Sequence, residues 1–226
     1  NSATATINVV GSGAADADIN AALVIDTALD VNIAAGATLD LGVNTVNVLG
    51  TTWDGGAGSV LRNGAATINA VTTYNLPGGE IDFDDGADTL NAQLNINADA
   101  IDTTAGDGYD GTLTIGNSGT LIVNLTGNAP WRMDTLLTYN GDAVSGTIVG
   151  GNSPVEFRTA STFNVNGEGA ITSRATFEGT VNINSAGQDI ELFGGDQTVG
   201  NTNAINGATV NGPGVLAVDD GQALRG

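Results

Sequence analysis

The chain has 226 residues, 34 of them Gly, with no Cys, no His and 5 basic residues against 25 acidic ones, for a net charge of −20. That excludes a polyanion-binding surface, catalysis or metal binding through His or Cys, and any disulfide framework. No apolar run is long enough to span a membrane as a helix, and an apolar fraction of 41% against 13% charged residues predicts a folded chain, not a disordered one.

In chain order, period-two alternation of Val, Ile, Leu and Thr with polar residues predicts short strands. They fall at Thr4–Val10, Asp30–Ile33, Thr38–Leu41, Asn44–Val48, Ala66–Val71, Glu80–Phe83, Leu90–Asn97, Thr112–Ile115, Thr120–Leu125, Thr135–Tyr139, Gly146–Val149, Val155–Phe157, Thr162–Val165, Thr176–Phe177, Thr180–Ile183, Asp189–Leu192 and Gly214–Val218. Between them stand corner steps such as Asn63-Gly64, Gly78-Gly79, Asn140-Gly141, Gly150-Gly151 and Asn211-Gly212. Gly and Asn tolerate the positive φ that sharp corners need. Residues 14–25 differ. Ile19, Ala22 and Leu23 recur at helical spacing, and Asp16 and Asp18 suit a helix N-terminus, so a short capping helix competes here with a strand at Leu23-Val24-Ile25.

Asn-Gly steps alone would fit hairpins and an antiparallel sandwich. A second pattern favours a parallel solenoid. Asn stands between two large apolar residues at Asn8, Asn32, Asn47, Asn95, Asn124, Asn164 and Asn182, and several of the gaps approach one or two turns of about 20 residues. At that length the chain makes roughly eleven coils and a rod of about 50 Å. With two apolar neighbours against one amide, the triplets place Asn outside; the alternative is an inward amide ladder. The chain reads as one domain, 1–226, with residues 1–28 as its N-terminal cap. Its final segment, Gly214 to Gly226, reads as the middle of a coil, so the expectation is a piece of something longer or an end that docks on another copy.

The runs Val31–Gly42, Gly111–Val123 and Gly207–Val218 resemble the right-handed parallel β-helix repeats of bacterial autotransporter passengers and large secreted adhesins. Asp16–Leu23 is similar to the capping helix of pectate-lyase-like β-helices. The resemblance implies secretion to the cell surface and a rod-like structural or adhesive role, and it carries no functional residue.

Candidate chemistry is sparse. Asp82, Asp84, Asp85 and Asp88 cluster around Gly86, and Asp99, Asp102, Asp107 and Asp110 around Gly106 and Gly108. Paired carboxylates could serve a glycanase, with Asp84 and Asp85 as the pair. The β-helix hydrolases and lyases that the chain resembles use His, or Arg and Lys beside calcium, and this chain has neither His nor Lys. The expectation is therefore no enzyme. Oxygen ligands in Gly-containing turns suit calcium, which makes Asp82, Asp84, Asp85, Asp88, Asp107 and Asp110 the metal candidates; the plainer reading is solvated charge that holds neighbouring rods apart. Thr-x-Thr occurs at Thr4/Thr6 and Thr112/Thr114, too few to mark a regular ice-binding ladder. Trp131, beside Pro130 and Arg132, reads as local packing or as a sugar platform. The overall expectation is an extracellular structural or adhesive rod, a segment of a surface protein or a filament subunit, whose partners are its own copies or surface glycans. The alternatives are a carbohydrate-binding or tailspike-like carbohydrate-active β-helix and a calcium-dependent matrix protein.

Overall fold

The computed structural model describes residues 5–10, 16–18, 23–25, 29–41, 46–48, 52–62, 65–83, 86–101, 108–109, 111–141, 146–184, 189–194, 203–218 and 224–225. The strand Thr120–Leu125 shows the principle on which it is built. Leu121, Val123 and Leu125 are buried while Thr120, Ile122 and Asn124 stay partly exposed. A strand this short, with one apolar edge, is stable only if its edge meets other apolar edges and its backbone is paired on both sides. Winding the chain into stacked coils satisfies both demands.

The strands lie on three faces of the coil. On the first, a path of ten strands runs from Ala5–Val9 through Leu29–Ile33, Thr52–Gly55, Thr72–Asp82, Gln93–Ile101, Thr120–Leu125, Thr147–Gly150, Gly169–Ile171 and Asp189–Leu192 to Val215–Val218. Among the described residues the second face has nine strands, from Leu23–Ile25 to Thr209–Asn211, and the third has six, from Gly108–Tyr109 to Leu224–Arg225. The pairings on all three faces are parallel. The chain is a parallel β-solenoid and not an antiparallel sandwich. Nine steps of about 4.8 Å give the ten-strand path a length of about 43 Å, one rung shorter than the sequence suggested.

Over residues 14–25, where a capping helix competed with a strand at Leu23-Val24-Ile25, the strand forms, and a further strand lies at Asp16–Asp18. Leu23, Val24 and Ile25 pair in register with Val46, Asn47 and Val48. Ladder pairing and the β preference of Val and Ile outweigh the helical spacing; the rest of that expected helix lies outside the described residues. The single strand expected over Leu90–Asn97 is two, Ala87–Leu90 and Gln93–Ile101, on different faces, because the chain turns a corner at Asn91 and Ala92. Among the described residues no helix is long and apolar enough to cross a membrane.

Coils differ in length. Asn164 and Asn182 are stacked partners 18 residues apart, whereas Asn182 and Asn211 are 29 apart. Corners absorb the difference and the strands keep register. Inside, residues of one type stack along the axis. One column runs Val31, Trp53, Tyr74, Ile96, Val123, and a second, two residues away along the strand, runs Leu94, Leu121, Val149, Ile171, Leu192, all buried. Rings stack in the interior as well: Phe157 lies 5.0 Å from Phe177 on the next coil and 5.1 Å from Phe163, nearly parallel to both. At the corner after Thr147–Gly150, Gly151 has φ +108, and a Cβ there would collide with the Val123 carbonyl oxygen, so only Gly fits.

The stacked rings lead to a prediction. Phe157→Ala opens a void bounded by Phe163 and Phe177 and lowers stability by about 3–5 kcal/mol, measured as a shift in the urea unfolding midpoint. Gly151→Ala lowers it by about 1–3 kcal/mol through backbone strain. An unchanged midpoint in the Phe157→Ala variant would show that the interior is not packed in this way.

Candidate functional site

The alternation that forms Ala87–Leu90 turns Leu90 inward, and so turns Asp88 inward as well. Asp88 is in register with Leu113, which heads a buried column of Leu137, Phe163 and Val181. A carboxylate among aliphatic side chains needs partners, and it has them. Ala66 N donates to Asp88 Oδ1 at 2.7 Å, and the Tyr109 hydroxyl donates to Asp88 Oδ2. Phe83 stacks on Tyr109 with centroids 4.6 Å apart. Beside them is a cavity of about 10 Å³, lined by Ala66, Phe83, Asp88, Leu94 and Tyr109 among others, with room for one water at most. Burial first, and the Asp88 charge second, raise the Tyr74 and Tyr109 phenols well above the ordinary tyrosine range. Both tyrosines therefore remain neutral, and Tyr109 is a hydrogen-bond donor.

Asp82 is also interior, 3% exposed, with Arg62 Nε 3.4 Å from its carboxylate. The two described members of the expected metal set are thus engaged by protein groups. Asp84, Asp85, Asp107 and Asp110 lie outside the described residues, as does Asp102. Among the described residues, no group of three or more potential ligand side chains comes together. Asp99 is exposed and accepts a hydrogen bond from Thr126 Oγ1. It shares a cleft of about 250 Å³ with Leu125, Pro130 and Arg132. Trp131, adjacent in sequence, points the other way. It is 1% exposed, inside the solenoid, and offers no face to a sugar.

At Asn8, Asn32, Asn95, Asn124, Asn164 and Asn182 the triplets turn their amides outward, as two apolar neighbours require, and most of these amides then find each other. On the first face Asn32 Nδ2 donates to Asn8 Oδ1 (3.3 Å), Asn75 to Asp54 Oδ1 (2.7 Å) and Asn124 to Asn97 Oδ1 (3.2 Å), each across one coil step. Asn166 donates to Asn140 and Asn184 to Asn166 at the corner after the second face. An amide both donates and accepts, so identical residues in register extend such a ladder without a second residue type. The sequence showed that these Asn face outward; it did not show the laddering. Along the first face Asn8, Asn32 and Asp54 line an open groove of about 460 Å³ with Val10, Ala34 and Gly56.

Compared with protein-family models, with curated proteins and with solved structures, the chain matches none.

Stability is predicted to fall in alkali. Unfolded tyrosines lose their protons near pH 10, whereas buried Tyr74 and Tyr109 keep theirs, so the native state binds more protons above that pH. Their contribution is complete below about pH 9 and is lost above about pH 10, at up to about 1.4 kcal/mol per pH unit for each tyrosine. Urea unfolding between pH 8 and 11 measures this slope. Tyr109→Phe should cost about 1–3 kcal/mol at neutral pH, by leaving Asp88 short of a donor, and should make the alkaline slope shallower. A level profile to pH 11 would refute the assignment.

Proposed function

We propose that the chain is an extracellular structural and adhesive rod, either a segment of a large surface protein or the repeating subunit of a filament. The observation that carries this reading is the axial stacking: ten successive parallel strands on one face, with amide ladders outside and apolar columns inside. Such an object carries load along its axis through backbone hydrogen bonds and gains stability with every coil added. The net charge of −20 opposes lateral clumping of parallel rods. The repeats' resemblance to secreted β-helix adhesins supports a place at the cell surface.

A second reading, carbohydrate binding without catalysis, is favoured by the groove along Asn8, Asn32 and Asp54. Amides and a carboxylate in a row match the hydroxyls of a glycan chain.

Negative-stain electron microscopy of the purified chain tests the main reading. Single molecules should be rods about 43 Å long or longer, set by the coil rise, and concentrated samples should show rods joined end to end. Round particles at all concentrations would contradict it. For the second reading, titration with soluble glycans should perturb Asn32 and Asp54 before any other surface residue.

A further inference from the structure

Charge is unevenly distributed over the solenoid. The first face carries Asp30, Asp54, Asp189 and Glu191, and the third carries Arg132 and Glu156 in one row. The second face is different. Over the seven strands from Ala66–Ile68 to Thr209–Asn211, one outward column reads Thr67, Thr89, Thr114, Thr138, Asn164, Asn182, Asn211. The column beside it reads Ala87, Thr112, Leu136, Thr162, Thr180, Thr209. No outward position in these seven strands is charged, in a chain of net charge −20. Among the described residues, no side-chain hydrogen bond occupies the hydroxyls of Thr67, Thr89, Thr114 and Thr138.

We propose that this face binds ice. Parallel register fixes its groups on a mesh of about 4.8 Å along the axis and about 6.6 Å along each strand. Threonine is β-branched and stiff at χ1, so hydroxyl and methyl are held in place before contact and little freedom is lost on docking. Asn182 Nδ2 donates to Asn164 Oδ1 (2.8 Å) and Asn211 Nδ2 to Asn182 Oδ1 (3.1 Å), which holds the amides in the same rows. Ice presents uncharged oxygens at fixed lattice points. A charged side chain keeps a hydration shell that does not fit that lattice, so a charge-free face of fixed hydroxyls, amides and methyls is the surface it accepts.

Two other occupants fit less well. A second copy of the chain would bury only about 400 Å² per partner here, taking six steps of rise and two outward columns, against the roughly 800 Å² of a stable pair. A crystalline polysaccharide would call for aromatic platforms or carboxylates, and both tryptophans and all three tyrosines are buried. The two Thr-x-Thr pairs seen in sequence were misleading in their scarcity. The threonines repeat from coil to coil, and unequal coil lengths hide the repeat in the linear chain.

The test grows ice slowly from a solution of the full chain and compares the protein in the ice with that left in the liquid. The chain should be enriched in the ice and should shape growing crystals. The double variant Thr89→Lys with Thr114→Lys should lower incorporation about tenfold, since a lysine facing the lattice has no partner for its charge. Thr176→Lys, on the third face between Glu156 and Ala204, should leave incorporation unchanged. If the lysine pair loses the strand circular-dichroism spectrum, Thr89→Val with Thr114→Val, which keeps shape and removes only hydroxyls, replaces it and should also lower incorporation. Exclusion of the native chain from ice, incorporation of folded face variants equal to the native chain, or capture by microcrystalline cellulose in place of ice would each overturn the proposal. It does not require end-to-end assembly, so its failure is distinct from failure of the rod reading by microscopy.

Discussion

Axial register between coils is the constraint on which the rest of the molecule depends. Each strand must set its inward residue on the inward residue of the coil before it, and only then do the backbone ladder and the apolar interior form together. The columns from Val31 to Val123 and from Leu94 to Leu192 keep this register although their coils differ in length. The corners take up the difference, which is why Gly151 and the bend at Gly78 within Thr72–Asp82 are fixed by geometry while other corner sequences vary. The same register, read on the outside, stacks like residues into rows of amides, of threonines and of ion pairs.

Register also raises an electrostatic problem, since stacking like residues stacks like charges. The few arginines meet part of it. Arg62 bridges Asp40 of the previous coil and Asp82 of the next, both at 3.4 Å, and Arg158 spans Glu156 and Glu178. These arginines are about 40% exposed on their side chains, so each contact adds little stability by itself. Their effect is to set a positive charge between carboxylates on neighbouring coils, as Arg62 does between Asp40 and Asp82. Asp88 is handled differently, by a buried tyrosine and a backbone amide. On the second face the problem is avoided, because its outward rows contain no charge.

Much of this was legible in the sequence for a physical reason: alternation in Thr112–Ile115, Thr120–Leu125, Thr162–Val165 and Thr180–Ile183 reports a buried edge directly, and these strands form with the expected bounds. Strands at Thr52–Gly55, Trp131–Met133 and Asn203–Ile205 carry no such signal, because they are too short to alternate and contain Asp, Arg or Asn. Their neighbours in the ladder define them. The inward Asp88 was available from the phase of Leu90, but its composition suggested a surface turn. The threonine rows were hidden, because they exist only after coils of unequal length have been placed in register.

Cross-linking tests that register most directly, in a chain that has no cysteine of its own. Thr162 and Thr180 are outward, in-register partners on adjacent coils, and Asn166 lies beside Asn184. Introduced together, Thr162→Cys and Thr180→Cys should form an intramolecular disulfide under mild oxidation, within the Cα separation such a bond needs. The pair Asn166→Cys and Thr180→Cys, adjacent only if the two strands formed an antiparallel hairpin, should not. Closure of the second pair and failure of the first would contradict the parallel solenoid and all that is built on it.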